Sequence, residues 1–307
     1  MRFVGTQVFS LEPVIPAKTA AACPLRRGAW AFLCRSQLVV RTSRKLLLTK
    51  AGAAYVAAAR RVLEDLAEAE RTASGEYRAP RGELLATAPI MFGTLNVAPI
   101  VHDFLAAYPD VGVRLVLSDW VIDLVESQLD VAVRIGRMPD SALVARRVGD
   151  VRWVVCASPD YLRRRGRPRT PADLSDHDCI GFEELQRTRA WPFAGDSGIE
   201  QIAIRSRFSV NTADGVIGGA VAGLGIARVI SYQAAAGVRA GTLIPILSEW
   251  VPPPMPVQLV YAAQQHQPLK QRAFVDFVAP RLQEKLRAIA DVFAADRDGT
   301  APRQTGV

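Results

Sequence analysis

Apolar residues between positions 49 and 74 recur at the spacing of one helix face, and no proline interrupts them. The same spacing fits the seam of a two-stranded coiled coil. The stripe consists of Tyr55, Ala59, Val62, Leu66 and Ala69. A helix packed on its own domain would show the same pattern, but the alanines favour close contact with a second helix. We therefore predict a linker helix and hinge over residues 49–81, with this stripe as the dimerisation seam.

From residue 82 the pattern changes to short apolar strands that alternate with helices. In the first part, strands are predicted at 84–88, 111–117 and 130–135, and helices at 95–107 and 120–128. The pattern restarts near residue 158, with strands at 202–210, 226–230, 243–247 and 257–261, and helices at 212–221, 231–237 and 269–289. Strand–helix–strand order implies a parallel sheet, because parallel neighbours need a crossover connection. The fold class is therefore α/β.

The net charge of +8 is unevenly distributed. Residues 1–81 contain 14 Lys and Arg against 6 Asp and Glu, whereas residues 82–307 contain 24 of each. All of the excess positive charge thus precedes the α/β region, and residues 41–50 carry four cations and no acid. Such asymmetry indicates a polyanionic partner for the first quarter of the chain. A solvated basic face is the alternative.

Other classes of protein find little support in the sequence. The chain has no uninterrupted apolar run of roughly 18 residues, so we expect no membrane span and no membrane partner. Four cysteines are widely spaced, without a Cys-x-x-Cys pair, and this favours a reducing cytoplasm. The three histidines have no neighbours spaced as a metal site or a catalytic triad. We expect no metal, no cofactor and no enzymatic activity.

An ordered series of motifs resembles the LysR-type transcriptional regulators. Residues 41–52, Arg-Thr-Ser-Arg-Lys-Leu-Leu-Leu-Thr-Lys-Ala-Gly, look like the wing and the start of the linker helix of that family, with Thr49 as the helix cap. Residues 82–89 look like the first strand of its effector domain. Further matches follow in order at 104–109, 118–119, 121–125, 130–136, 141–147, 156–162 and 223–226. Each motif is weak by itself, but the ordered set is specific and covers residues 41 to 290.

The resemblance implies a two-lobed effector domain similar to a periplasmic binding protein, preceded by a winged helix-turn-helix and the long linker helix. Residues 1–48 would be the DNA-binding region, 82–290 the effector-binding domain and 291–307 a flexible tail. The chain would cross between the lobes near 154–158 and near 257–262. Lobe one would be 82–155 plus 263–290, and lobe two would be 156–262.

The resemblance also implies where DNA and effector bind. Contacts with the DNA backbone fall on Arg41, Thr42, Ser43, Arg44 and Lys45. The effector cleft would be lined, at strand ends and helix starts, by Ala88, Pro89, Ile90, Met91, Phe92, Ser118, Ile135, Gly136, Asn211, Thr212, Gly223, Leu224 and Gly225. Backbone amides at helix starts favour a carboxylate or phosphate. However, Ile90 stands where many relatives have a small hydroxyl residue, which suits a more apolar ligand. Core packing is the alternative for the apolar members.

Residues 1–40 depart from the family pattern. Neither of the helices that read DNA bases is recognisable, and Cys23-Pro24 and Gly28-Ala-Trp30 stand where a continuous helix is expected. A shifted reading frame or rearranged start is the explanation we favour, and a divergent but folded segment is the second. The sequence therefore predicts a DNA-binding transcription regulator, a homodimer or homotetramer, that responds to a small-molecule effector. A cytoplasmic small-molecule binding protein that has lost sequence-specific DNA binding is the alternative.

Overall fold

The computed structural model describes residues 37–41, 46–52, 55–56, 58–59, 62–63, 66, 79–124, 127, 129–138, 143–182, 190–195, 198–263 and 267–294. The chain divides into two compact units, residues 1–74 and 75–307. The predictions for residues 1–36 fall outside the described residues, as does the predicted tail beyond Ala294. The same holds for four members of the DNA-contacting set and one of the seam: Thr42, Ser43, Arg44, Lys45 and Ala69.

A hairpin and the start of a helix form the described part of the first unit. Strands β1 (Val39–Arg41) and β2 (Leu46–Leu48) pair antiparallel. The Thr49 hydroxyl then accepts a hydrogen bond from the Gly52 N–H at 3.0 Å and donates one to the Gln37 carbonyl at 2.6 Å. Threonine at this position satisfies an amide of the first turn that has no partner inside the helix. The predicted helix cap is confirmed.

The described residues of the linker helix expose the predicted seam. In a single chain, 66% of Val62 and 54% of Leu66 is accessible, and Tyr55 is also exposed. Ala59 is half-buried. The apolar stripe is therefore available to a partner helix.

The second unit alternates strands and helices. In chain order its strands are β3 (Gly82–Ala88), β4 (Val111–Leu117), β5 (Val131–Ile135), β6 (Leu143–Val151), β7 (Trp153–Ala157), β8 (Asp178–Phe182), β9 (Ala190–Gly195), β10 (Gly198–Ala203), β11 (Arg205–Val210), β12 (Ala227–Ile230), β13 (Ile244–Ile246) and β14 (Met255–Ala262). Its helices are α1 (Ile90–Ala107), α2 (Pro159–Arg165), α3 (Ala213–Val221), α4 (Ser231–Arg239) and α5 (Leu269–Ala294). Short 3-10 helices lie at Pro171–Asp176 and Ser248–Trp250.

Lobe one is built on a five-stranded mixed sheet in the order β4-β3-β5-β14-β6. Strand β3 runs parallel to β4 and β5, as the sequence predicts, while β14 runs antiparallel to β5 and β6. Helices α1 and α5 pack together over this sheet, with the Phe104 and Phe274 rings edge to face at 5.2 Å. By length and composition alone α1 could span a membrane. Its apolar residues Phe92, Ile100 and Phe104 are buried in this core, which accounts for that composition.

Lobe two contains three small sheets. Strand β7 is flanked by the antiparallel strands β12 and β13, β8 pairs parallel with β11, and β9 and β10 form a hairpin. A bridge between Cys179 and Ile226 joins β8 to the start of β12. Trp191, Phe193 and Ile226 are fully buried in one of the two cores of this lobe.

The chain crosses between the lobes earlier than predicted. The first crossing is at Arg152, between β6 and β7, and not at 154–158. The second lies at 247–254, and not at 257–262, because β14 completes the sheet of lobe one. Lobe one therefore comprises 82–151 and 255–294, and lobe two comprises 153–246, with Phe293 at the end of α5 packed in a core of lobe two. The predicted assignment of 255–262 to lobe two is wrong.

The helix predicted at 120–128 does not begin at Trp120, because the described residues 118–123 are not helical. The Ser118 hydroxyl accepts a hydrogen bond from the Trp120 N–H at 3.1 Å, and the Asp119 carboxylate accepts one from Ile90. Side chains that bond nearby backbone in this way compete with helix formation. Residues 118–123 are therefore a loop. The Ser127 N–H donates to the Asp123 carbonyl at 3.1 Å, which is the spacing of a helical turn.

Two glycines of lobe two should respond in opposite ways to alanine. A Cβ at Gly225 would lie 2.4 Å from the backbone carbonyl oxygen of Asp178, whereas one at Gly218, within α3, would meet nothing within 4 Å. We expect Gly225→Ala to destabilise the protein by about 1–3 kcal/mol through overpacking. Gly218→Ala should stabilise it by about 0.5–1 kcal/mol, because alanine favours the helix. Urea unfolding gives the free energy of unfolding of both variants. A change of the same sign and size in both would contradict the close packing of Gly225 against Asp178.

Candidate functional site

The candidate effector site begins at the carboxyl ends of two neighbouring parallel strands. Ala88 of β3 lies opposite Leu117 of β4, and the Ser118 N–H donates to the Ala88 carbonyl at 3.0 Å. Pro89 then turns the chain into α1, whose first residue is Ile90. In parallel α/β sheets, ligands bind outside the carboxyl ends of the strands. The structure thus brings together the predicted residues 88–92 and Ser118.

A carboxylate already occupies the start of α1. The Asp119 Oδ1 atom accepts a hydrogen bond from the Ile90 N–H at 3.0 Å. A negative charge is favourable at a helix N-terminus, because the first amides lack partners within the helix and the macrodipole is positive there. Asp119 therefore stands where the carboxylate of an acidic ligand would otherwise bind. Sequence reasoning left Asp119 out of the site, although it directly follows Ser118.

The loop after Asp119 presents apolar surface beside this carboxylate. Of Trp120, 74% is accessible, and of Val121, 84%. Ile90 is exposed as well, while Met91 is half-buried and Phe92 lies in the core. Exposed apolar side chains that form a contiguous patch commonly mark a ligand or partner surface. The predicted residue Phe92 has a packing role.

Lobe two reaches this edge through Tyr232, a residue that the sequence did not single out. The Tyr232 ring meets Phe92 edge to face at 5.0 Å and is only 6% exposed. Burial, together with the nearby negative charge of Asp119, raises the pKa of the Tyr232 phenol above its ordinary value. The phenol therefore stays neutral, and the Gln233 side-chain amide donates a hydrogen bond to its oxygen at 3.3 Å.

Ile135 and Gly136 close β5 at the same end of the sheet. Gly136 adopts a φ of +107°, a conformation that favours glycine. Its N–H donates to the Pro256 carbonyl at 2.8 Å, and its carbonyl accepts from the Gln258 side chain at 3.3 Å. These bonds fasten the end of β5 to β14, so Gly136 has a structural role beside any contact with a ligand.

The predicted lobe-two residues make their described contacts within that lobe. The Thr212 hydroxyl caps α3 by accepting from the Gly215 N–H, and Asn211 is exposed beside it. The Gly223 carbonyl accepts from Arg164 at 2.9 Å, and Leu224 is exposed. Gly225 packs against the backbone of β8. Chain packing therefore accounts for Gly223 and Gly225. Their contact with a ligand stays a prediction.

Two α/β lobes joined by two crossings, with strand ends and helix starts gathered at one edge, define a protein of the two-lobed ligand-binding class. Residues 78–283 match the family model described as the LysR substrate binding domain. The chain is 31% identical to an HTH-type transcriptional regulator of Xanthomonas campestris over 80% of its length and 73% of the relative. It is 32% identical to CrgA of Neisseria meningitidis serogroup C, over 81% of the chain and 83% of that protein.

Solved structures agree with these relatives. The structure of CrgA, a LysR-type regulator from Neisseria meningitidis, superposes with a TM-score of 0.60 at 31% identity, covering 80% of this chain and 83% of that one. The full-length structure of the Vibrio cholerae virulence activator AphB gives 0.59 at 29% identity, over 87% and 90%. The chain belongs to the LysR family of transcriptional regulators. It is a DNA-binding transcription regulator with an effector-binding domain.

Proposed function

We propose that the effector binds at the edge formed by residues 88–92, 118–121 and Tyr232, and that it is a neutral or cationic molecule with an apolar body. One observation carries this proposal: Asp119 accepts the hydrogen bond of the first amide of α1. The anion-binding position of that helix is already filled by the protein itself. An acidic effector would have to displace Asp119 or bind close to its charge.

The polar groups of the edge support this choice. The Ser118 hydroxyl accepts from the Trp120 N–H and is 3.3 Å from the Trp120 carbonyl, so it is engaged within the loop. The exposed side chains of Ile90, Trp120 and Val121 supply apolar contact. Two unit charges about 4 Å apart near a protein surface interact by roughly 4 kcal/mol at an effective dielectric constant of 20. Solvent around the exposed Asp119 reduces this, but its sign disfavours an anion.

The position of Tyr232 suggests how binding reaches the rest of the molecule. Phe92 lies in the first turn of α1, the helix of lobe one that borders the edge, and Tyr232 lies in the first turn of α4 in lobe two. A ligand at the edge touches the place where the two lobes meet. It acts as an effector only if it binds two arrangements of the lobes unequally.

The charge preference can be measured with three probes of equal size: benzylamine, benzyl alcohol and benzoate. We expect wild-type protein to bind benzylamine at least tenfold more tightly than benzoate, because Asp119 attracts the ammonium group. Asp119→Asn keeps an acceptor for the Ile90 N–H but removes the charge, so the preference should fall to about threefold or less. Tryptophan fluorescence gives the Kd values, and Trp120→Phe identifies the contribution of Trp120.

Asp103→Asn is the matched control, since Asp103 is an exposed carboxylate on the same helix. This variant should retain the wild-type preference. A preference for benzoate in the wild type would contradict the proposed ligand charge. Absence of binding by all three probes would instead count against the location of the site.

For DNA, we propose that Arg41, Thr42, Ser43, Arg44 and Lys45 contact phosphates from the hairpin of β1 and β2. Family membership and the antiparallel pairing of the two strands support this wing. Phosphate contacts hold a protein on DNA without reading its sequence. Footprinting on the upstream DNA tests for sequence-specific binding. A single protected site that persists at moderate salt would indicate that residues 1–40 read DNA bases. Uniformly weak, salt-sensitive binding would favour the alternative, a small-molecule binding protein that has lost sequence-specific DNA binding.

The phosphate contacts predict a change in salt dependence. In the double variant Arg44→Gln, Lys45→Gln, the slope of log K against log salt concentration should become shallower by about 2, or about one per lost contact. Fluorescence anisotropy with a duplex from the upstream region measures the slope at several salt concentrations. Arg287→Gln removes an exposed cation from α5 and should leave the slope unchanged. An unchanged slope in the double variant would remove these residues from the interface.

We further propose a cytoplasmic homodimer or homotetramer without enzymatic activity, paired through Tyr55, Ala59, Val62, Leu66 and Ala69. Val62→Glu should shift the assembly toward smaller species, because it buries a charge in the seam. Sedimentation velocity measures the distribution. Ile199→Glu, which changes another exposed apolar residue, in β10, is the control. A distribution that is unaltered in Val62→Glu would exclude this seam.

A further inference from the structure

A second cleft lies at the hinge between the lobes. It is lined by Arg152, residues 167–169, Ala194 and residues 247–254, and its volume is about 990 Å³. Ligand pockets typically measure roughly 300–1,000 Å³, so the space suffices for a small organic molecule. None of the residues assigned to the effector edge lines this hinge cleft. It is therefore a separate candidate for binding.

The charge of the hinge cleft is opposite to that of the effector edge. Three arginines, Arg152, Arg167 and Arg169, line it together with one carboxylate, that of Glu249. One guanidinium nitrogen of Arg167 donates to the Pro245 carbonyl at 3.0 Å, and this bond restrains the Arg167 side chain. The planar fork of arginine binds carboxylates in a bidentate manner. The cleft therefore presents a cationic surface suited to an anion.

The remaining lining is apolar and stiff. Trp250 is half-buried and packs against the lobe-two core that contains Leu247. Residues 252–254 are three consecutive prolines, whose rings restrict the backbone. An indole beside proline rings offers contact to a flat apolar body, and stacked aromatic groups contribute beyond the area that they bury. An aromatic anion satisfies both the charged and the apolar parts of the cleft.

The cleft also touches both segments on which movement of the lobes depends. Arg152 is the first crossing, and its backbone carbonyl accepts from the Ser231 N–H at 2.8 Å. Residues 247–254 are the second crossing, and Leu247 adopts a φ of +54°. A left-handed conformation is strained for leucine and typically costs about 1–3 kcal/mol. The backbone of the second crossing is therefore strained at this residue. A ligand in the cleft would contact both crossings at once.

We propose that the hinge cleft binds a small aromatic carboxylate, as a ligand site distinct from the effector edge. The carboxylate pairs with Arg169 and Arg167, and the ring packs against Trp250. The site does not depend on the charge assigned to the effector edge, since it shares no residue with it.

Isophthalate is the probe, and isophthalamide, a neutral molecule of nearly the same shape, is its control. Isothermal calorimetry on the full chain should show isophthalate binding and no measurable heat from isophthalamide. Arg169→Gln should weaken isophthalate binding at least tenfold. Arg163→Gln removes a cation of α2 that is paired with Asp160 and does not line the cleft, so it should change the Kd less than twofold.

Two further readouts locate the bound probe. Isophthalate should alter the tryptophan fluorescence of the wild type, and this change should be lost in Trp250→Phe while calorimetry still detects binding. Hydrogen exchange of the amides at 247–251 should slow on binding. The proposal is overturned if isophthalate does not bind at millimolar concentration, if Arg169→Gln and Arg163→Gln behave alike, or if isophthalamide binds equally well. Thermal unfolding of each variant without ligand separates loss of the site from loss of the fold.

Discussion

The contact between Tyr232 and Phe92 ties lobe two to the core of lobe one. The helix of Tyr232 belongs to lobe two, yet its ring is buried in the core of lobe one. The preceding residue, Ser231, hydrogen-bonds through its N–H and its hydroxyl to the backbone of Arg152 at the first crossing. One short segment therefore joins the start of α1, the start of α4 and the hinge. Because packed interiors favour discrete arrangements over continuous deformation, movement of the lobes would disturb this contact and the packing of Phe293 of α5 in a core of lobe two.

The charge at the effector edge depends on which group accepts the hydrogen bond of the first amide of α1. A helix N-terminus in a cleft is commonly regarded as a site for an anion, and the fold alone would suggest one here. Asp119 changes that expectation, because its carboxylate takes the amide hydrogen bond and adds a negative charge. The same charge contributes to the raised pKa of Tyr232. The two-lobed fold is thus shared with the relatives, while function depends on the individual side chains that a fold carries.

The local sequence pattern predicted secondary structure correctly where neighbouring residues determine it. The strand at 82–88, the cap at Thr49 and the lobe-two helix after Thr212 all follow from alternation or capping chemistry. It failed for β14, because an apolar strand has the same sequence pattern in either sheet. Its membership is decided by pairing with β5 and β6, more than a hundred residues earlier. Tyr232 was missed for a related reason. Its partner Phe92 is also more than a hundred residues away in the sequence, and no local motif predicts the contact.

Ligands at the effector edge and in the hinge cleft would both act on the same motion, the change in angle between the two lobes. Leu247 persists in a strained conformation only because the surrounding packing requires it, and the prolines that follow limit how the second crossing can relax. Arg152 fixes the first crossing to Ser231, beside the residue that enters the core of lobe one. A ligand at the effector edge and one in the hinge cleft would therefore both favour particular angles between the lobes. If both prefer the same angle, each strengthens the binding of the other by the same factor, because coupling between binding sites is reciprocal. The opposite charges of the two clefts would keep their ligands from competing.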